Sequence, residues 1–143
     1  MGGVVSTDER RDGDTADTSS PGDVSVLIVD DQAPFRAVAR TVIQLATGFA
    51  VVGEAASGEE AVDLAADLHP AMVLMDINLP GINGIEATRQ IVAADPDTVV
   101  ILLSTYRSDD LPSDAADCGA ARYIHKEDFG PGILREIWTD HTG

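Results

Sequence analysis

The chain has little positive charge, one cysteine and few aromatic side chains. Its 143 residues include 9 Lys and Arg against 25 Asp and Glu, which gives a formal net charge of −16. A surface that binds nucleic acid needs clustered basic side chains to neutralise phosphates, so this composition argues against direct nucleic-acid binding. The single cysteine, Cys118, excludes a disulfide within the chain and is compatible with a reducing compartment.

Long apolar runs are also missing. No stretch approaches the ~20 apolar residues that cross a bilayer, and the N-terminus lacks the apolar segment of a signal peptide. We therefore expect a cytoplasmic location and no membrane contact. Residues 1–22 are rich in Gly, Ser, Thr and Asp without apolar periodicity, which predicts a disordered N-terminal tail. One domain is predicted over residues 23–139, followed by a short C-terminal tail at 140–143.

Five short apolar runs have the length and composition of buried strands. They are rich in aliphatic residues and carry few polar side chains, as in a sheet that helices cover on both sides. The runs lie at residues 24–29, 49–55, 73–76, 98–103 and 121–124. Segments with helical apolar spacing alternate with them and predict five helices, the fourth at residues 112–118 and the last after Gly130-Pro131-Gly132. This alternation predicts an α/β fold with a doubly wound parallel sheet.

Two of these helices have recognisable starts. Pro34 suits the first turn of the first helix, after Ala33 as a poor N-cap. Ser57 and Glu60 have the spacing of a capping box at the start of the second. The apolar face of the first helix is predicted to comprise Phe35, Val38, Val42 and Leu45.

Reactive side chains follow four of the five predicted strands. Asp30 and Asp31 follow the first, Asp76 the third, Ser104 the fourth, and Lys126 comes shortly after the fifth. Because the carboxyl ends of parallel strands meet at one edge of a sheet, these groups could share a crevice. The carboxylates suit Mg²⁺, and an Asp76 carboxylate could attack a phosphoryl group whose charge the metal and Lys126 neutralise.

In order and position, these residues resemble the receiver domain of two-component response regulators. The resemblance covers about residues 24–137. It rests on Val29-Asp30-Asp31, Met75-Asp76-Ile77-Asn78-Leu79-Pro80-Gly81, Leu103-Ser104-Thr105, Gly119-Ala120 and Tyr123-Ile124-His125-Lys126. It implies a flavodoxin-like sheet of five parallel strands in the order 2-1-3-4-5 with five helices, as in the chemotaxis response regulator.

The resemblance also implies an acceptor and a metal site. Asp76 would be the phosphoacceptor, phosphorylated by a sensor histidine kinase or a histidine phosphotransfer protein. Asp30, Asp31, Asp76 and the backbone carbonyl of Asn78 would hold Mg²⁺, or Mn²⁺ in its place. The chain would then be a phosphoprotein rather than an enzyme, with at most single-turnover autophosphorylation and autodephosphorylation.

Further roles follow from the same resemblance. Ser104 would be the switch hydroxyl and donate to the phosphoryl group, Tyr123 would be the switch aromatic, and Lys126 would sense the phosphate. Tyr106, two residues after Ser104, could overhang the site and slow hydrolysis. Glu127 follows Lys126 where many relatives have Pro, so no cis peptide is expected there.

The output is predicted less directly. The face formed by the fourth helix, the fifth strand and the last helix would bind a downstream protein or form a homodimer. Only five residues follow Trp138, so we expect a stand-alone receiver that acts through protein contacts. The alternative is the receiver portion of a longer helix-turn-helix DNA-binding transcriptional regulator.

One enzyme class remains as a rival. A haloacid-dehalogenase-like phosphatase would also use an aspartate nucleophile after a buried strand, but it would need a second Asp two residues later. Asn78 occupies that position after Asp76. Such an enzyme would turn over an added phosphomonoester repeatedly, whereas a receiver stops at one phosphoryl group per chain.

Overall fold

The central element of the fold is one sheet of five parallel strands. A computed structural model describes residues 23–105, 115 and 117–142. The strands are β1 (Val24–Val29), β2 (Phe49–Ala55), β3 (Met72–Asp76), β4 (Val99–Ser104) and β5 (Arg122–His125). They lie in the order β2-β1-β3-β4-β5, and all neighbouring pairs are parallel. The predicted doubly wound sheet and its strand order are confirmed.

Four α-helices are present among the described residues, rather than the five predicted. They are α1 (Ala33–Leu45), α2 (Gly58–Leu68), α3 (Gly84–Ala94) and α4 (Pro131–Thr142), and a 3-10 turn spans Lys126–Asp128. The predicted helix at residues 112–118 and the predicted tail at 1–22 lie largely or wholly outside the described residues. None of the described helices is long and apolar enough to cross a lipid bilayer.

The helix starts agree only in part with the sequence pattern. Ser57 Oγ accepts a hydrogen bond from the backbone N–H of Glu60, as predicted for the capping box. The N-cap of α1 is Gln32 rather than Ala33, and its side chain makes no capping hydrogen bond. The last helix begins at Pro131 instead of after Gly132, because the fixed φ of proline suits the first turn of a helix.

The buried face of α1 is rotated from the predicted one. Ala39 and Ile43 are buried, whereas Val38 and Leu45 are 53% and 66% exposed. At 3.6 residues per turn, Val38 and Leu45 lie roughly 110–130° away from the stripe that Ala39 and Ile43 form with Ala46. Small alanine side chains therefore face the sheet, and two larger apolar side chains face outward.

The two sides of the sheet are covered by different residues, since strand side chains alternate between its faces. On the side covered by α1 and α4, the buried cluster includes Ile28, Leu74 and Ile124. This α1–α4 side also holds every described Phe and Trp: Phe35, Phe49, Phe129 and Trp138. On the α2–α3 side, the buried residues that the helices contribute are Ala61, Ala65, Ala87, Ile85 and Ile91.

Candidate functional site

A buried ion cluster lies at the carboxyl edge of the sheet, where β1, β3 and β5 end. Lys126 Nζ lies 2.7 Å from Oδ2 of Asp30 and 3.6 Å from Oδ1 of Asp76. Asp30 is 1% exposed and Asp76 is 5% exposed. Val29 pairs with Met75 in register, so Asp30 and Asp76 are neighbours once the strands form. The parallel register thus brings two buried carboxylates to one ammonium group.

The Asp76 carboxyl group has a perturbed acidity. Burial and then the neighbouring charge of Asp30 raise its pKa from 3.8 to about 6, although Lys126 and a hydrogen bond from the backbone N–H of Asn78 act in the opposite direction. Asp76 is therefore mostly ionised at pH 7, but its charge is held at a free-energy cost. A further cation beside the carboxylate would reduce that cost.

Three carboxylates are close enough to hold such a cation. One oxygen from each of Asp30, Asp31 and Asp76 lies within 4.8 Å of the others, and Asp31 is exposed where the other two are buried. The backbone N–H of Gln32 donates to Asp30 Oδ1 over 2.8 Å, which fixes the orientation of that carboxylate. An oxygen-only donor set with one side open to water fits Mg²⁺, which keeps several waters when it binds. The residues present therefore fit the predicted metal.

Ser104 and Tyr123 form a second, separate pair. Ser104 is fully buried at the end of β4, and its hydroxyl is hydrogen-bonded to the hydroxyl of Tyr123. Burial raises the pKa of Tyr123, and the hydrogen bond with Ser104 opposes that rise. Tyr123 pairs in register with Leu102, two residues before Ser104, so both side chains lie on the α2–α3 side.

The loop after Asp76 is held tightly by its neighbours. A Cβ atom added to Gly84 would lie 2.0 Å from the backbone oxygen of Asp76, so α3 starts in close contact with the end of β3. Glu59 Oε2 accepts a hydrogen bond of 3.1 Å from the backbone N–H of Ile82. Gly81 adopts a left-handed φ of 72° directly against the Glu59 carboxylate. The loop that carries Asn78 is therefore anchored to α2.

Sequence reasoning missed several residues that act on the ion cluster. The Phe35 ring, assigned only to the apolar face of its helix, has its centroid 4.4 Å from Lys126 Nζ. The Arg36 guanidinium donates to the backbone oxygen of Asp30 and pairs with Glu54. Both residues lie in the first turn of the helix that follows Asp30-Asp31, and this position was the available signal for a role near the site. Nothing in the sequence indicated that their partners would be Lys126 and Glu54, which are distant along the chain.

His125 connects the ends of two strands. Its Nε2 lies 2.9 Å from the carbonyl oxygen of Thr105, and its Nδ1 accepts a hydrogen bond from the backbone N–H of Glu127. His125 thereby links the end of β4 to the turn that carries Lys126.

The structure brings most of the predicted site residues together. The ion cluster contains Asp30, Asp76 and Lys126, with Asp31 and Asn78 beside it, and Ser104 and Tyr123 form their own pair. Tyr106 lies outside the described residues.

Comparison with known proteins agrees with this geometry. The family model of the response regulator receiver domain matches residues 26–137. The chain belongs to this family. The response regulator UvrY of Escherichia coli strain K12 is 40% identical to this receiver domain over 120 residues, which cover 84% of the chain and 55% of UvrY. The transcriptional regulatory protein LnrK of Bacillus subtilis is 33% identical over 120 residues, which cover 84% of the chain and 54% of LnrK.

Solved structures show the same receiver fold. A chain of the CheX-CheY-BeF3-Mg2+ complex from Borrelia burgdorferi matches with a TM-score of 0.71 and 29% sequence identity. The match covers 83% of this chain and 89% of that one. The receiver domain thus accounts for nearly all of the matched structure, whereas the chain spans about half the length of the curated relatives named above.

Proposed function

We propose that this receiver domain is a phosphorylation switch in which Asp76 accepts a phosphoryl group from a sensor histidine kinase or a histidine phosphotransfer protein. The observation that carries the proposal is the buried cluster in which one ammonium group, from Lys126, lies beside Asp30 and Asp76. Asp76 is mostly ionised at pH 7, so its carboxylate oxygen can act as the nucleophile towards phosphorus, and the Lys126 ammonium lies beside it to neutralise the charge that the phosphoryl group brings. Asp76 is thus the best placed nucleophile of the cluster.

The transfer step needs a nucleophile and neutralisation of the phosphoryl oxygens. An Asp76 carboxylate oxygen attacks phosphorus and forms the new P–O bond, while the bond from phosphorus to the donor breaks and the donor keeps its electron pair. The leaving group is a histidine nitrogen, which takes up a proton, or acetate when acetyl phosphate is the donor. Lys126 stabilises the transferred group because its ammonium is already next to Asp76.

We assign the metal site to Asp30, Asp31, Asp76 and the backbone carbonyl of Asn78. The supporting observations are the close approach of the three carboxylates and the hydrogen bond that holds Asn78 beside Asp76. Bound Mg²⁺, or Mn²⁺ in its place, would neutralise negative charge on the phosphoryl oxygens. The solved CheX-CheY complex named above contains BeF3 and Mg2+, which supports the same ligand chemistry here.

Ser104 and Tyr123 are the proposed switch. Once Asp76 carries a phosphoryl group, the Ser104 hydroxyl donates to a phosphoryl oxygen and gives up its present hydrogen bond with Tyr123. Tyr123 then repacks and changes the surface of β5 and α4. Tyr106 is proposed to slow hydrolysis by shielding the site, in which case Tyr106→Ala shortens the lifetime of the phosphorylated protein.

The proposed output is through protein contacts of a stand-alone cytoplasmic receiver, either with a downstream protein or with a second copy. A second candidate is the receiver portion of a longer DNA-binding transcriptional regulator. It is favoured by the chain's match to about half of UvrY and of LnrK, the latter named as a transcriptional regulatory protein. The reading frame beyond the codon for Gly143 distinguishes the two.

The test is phosphorylation by acetyl phosphate with Mg²⁺, followed by intact-mass spectrometry. The wild-type chain should gain one phosphoryl group, and Asp76→Asn should gain none. Asp63→Asn, which changes an exposed carboxylate of α2, is the matched control and should label normally. Undiminished labelling of Asp76→Asn would refute the assignment, and repeated turnover of an added phosphomonoester would favour the phosphatase class instead.

A further inference from the structure

The Phe35 ring covers the ammonium group of Lys126. The ring centroid lies 4.4 Å from Lys126 Nζ, within the range in which a cation is attracted to the face of an aromatic ring. The Lys126 side chain is only 13% exposed, so little water screens this contact. The ammonium therefore has three attractive neighbours: two carboxylates, from Asp30 and Asp76, and one ring.

The ring is itself held in place. Phe35 lies in the first turn of α1 and packs against Phe129, with ring centroids 6.4 Å apart and an interplanar angle of 44°. Phe129 follows the 3-10 turn that starts at Lys126, and its backbone N–H donates to the Lys126 carbonyl over 3.3 Å. The start of α1 and the turn after β5 thus fix the two ends of Lys126, its ammonium and its backbone.

The ion pair and the metal compete for the same carboxylate. Asp30 Oδ2 accepts from Lys126, and Asp30 is also one of the carboxylates that fit Mg²⁺. When Asp30 engages a divalent cation, its attraction for the ammonium falls, and Lys126 needs another partner to remain beside Asp76. A ring face supplies attraction without accepting the N–H groups as an oxygen would, so these groups stay available to phosphoryl oxygens.

We propose that Phe35 is a positioning residue that keeps the Lys126 ammonium beside Asp76 when Asp30 is engaged by the metal. This inference rests on the proposed phosphoryl acceptor function. It differs from simple core packing in one respect: packing needs only apolar volume, whereas positioning of a cation needs an aromatic ring. Aromatic and non-aromatic substitutions of Phe35 therefore separate the two roles.

The first test compares initial rates of labelling by acetyl phosphate at saturating Mg²⁺. Phe35→Leu and Phe35→Met remove the ring but keep most of the apolar volume, and both should label about five- to tenfold more slowly. Phe35→Tyr keeps the ring and should stay within about twofold of the wild type. Phe49→Leu is the matched control, because Phe49 packs in the same cluster but against Trp138, and it should label normally.

The second test does not depend on phosphorylation. Lys126 is the only lysine in the chain, so lysine-selective isotope labelling gives one set of side-chain NMR signals without further assignment. Its ε-methylene protons should show a ring-current shift in the wild type, with and without Mg²⁺. The shift should persist in Phe35→Tyr and Phe49→Leu and be lost in Phe35→Leu and Phe35→Met.

The outcomes separate this inference from the proposed function. If the wild type labels but Phe35→Leu and Phe35→Met label equally fast, or Phe35→Tyr is as slow as they are, the positioning role is wrong and the acceptor function stands. If the wild type takes no phosphoryl group, the acceptor function is wrong. In that case the NMR comparison still tests the contact between Phe35 and Lys126, because an unchanged lysine signal in Phe35→Leu would show that the ring does not lie over the side chain.

Discussion

On the α1–α4 side of the sheet, the Phe35 ring lies over the ammonium group of a buried ion cluster, whereas on the α2–α3 side the hydroxyls of Ser104 and Tyr123 are hydrogen-bonded to each other. Asp76 follows Leu74 by two residues in β3 and so has the strand alternation of the α1–α4 side, and Lys126 reaches it from the 3-10 turn after β5. Ser104 follows Leu102 by two and has the opposite alternation.

This difference puts the groups for phosphoryl chemistry and the proposed switch residues on opposite sides of the sheet. The charged groups that would bind and accept a phosphoryl group belong to one side, and the proposed switch pair, Ser104 and Tyr123, belongs to the other. The charged groups and the switch pair come close to each other at the carboxyl edge of the sheet, where the strands end. A change at Asp76 therefore has to pass to Ser104 across the edge of the sheet rather than through either helix layer.

The largest expected effect comes from removing the cation of the α1–α4 side. Lys126→Met leaves the Asp30 and Asp76 carboxylates buried without a positive partner, and breaking a buried pair in this way costs about 3–5 kcal/mol. Urea unfolding in EDTA at pH 7.5 measures the loss, and added Mg²⁺ should recover more stability in this variant than in the wild type.

The matched control for this change is an exposed ion pair. Arg122→Met breaks the contact of 3.7 Å between Arg122 and Asp140 at the surface and should change the free energy of unfolding by less than about 0.5 kcal/mol. If Lys126→Met and Arg122→Met changed the free energy of unfolding equally, burial of the ion cluster would make no difference to stability. That result would contradict the special role given to the α1–α4 side.

The next effect is a gain in stability at the acceptor itself. The pKa of Asp76 is raised from 3.8 to about 6, so the folded state binds a proton at Asp76 more tightly than the unfolded state does. The free-energy cost of ionising Asp76 in the folded state is therefore fully present only above pH 6. At about 1.4 kcal/mol for each pH unit, Asp76→Asn should stabilise the metal-free protein by about 3 kcal/mol at pH 7.5. The gain should vanish as the pH falls from about 6 to about 4. A variant no more stable than the wild type at pH 7.5 would contradict the raised pKa.

A smaller loss is expected from crowding the α2–α3 side. Gly84→Ala places a Cβ atom 2.0 Å from the backbone oxygen of Asp76, and overpacking of this kind costs about 1–3 kcal/mol. Gly132→Ala is the control, since a Cβ there meets no atom within 4 Å and alanine favours a helix. Thermal unfolding of both variants measures the contrast, which is absent if α3 can move away from β3 without cost.

The smallest effect concerns the anchor of the loop. Glu59→Ala removes the acceptor of the Ile82 N–H and should loosen the segment that carries Asn78, so that Mg²⁺ binds about threefold more weakly in calorimetric titration. Asp63→Ala, an exposed change on the same helix, should leave the affinity unaltered. If both variants bind Mg²⁺ as the wild type does, the loop does not depend on α2.

Much of the fold could be predicted because buried parallel strands are continuous apolar runs, and β1 and β2 have the predicted bounds. The ion cluster could be predicted because Asp30 and Asp76 directly follow such runs. The buried face of α1 could not be predicted, because the larger Val38 and Leu45 are more hydrophobic than the small Ala39 that approaches the sheet. The contact between Phe35 and Lys126 could not either, since it depends on how α1 and the turn after β5 pack.

The central claim is that the phosphoryl group is carried by Asp76. The most direct measurement treats the protein labelled by acetyl phosphate with borohydride, which reduces an aspartyl phosphate to homoserine, and then maps the peptides by mass spectrometry. We expect homoserine at position 76 and unmodified aspartate at positions 30 and 31. Homoserine at either of those positions instead, or labelled protein without homoserine at position 76, would contradict it.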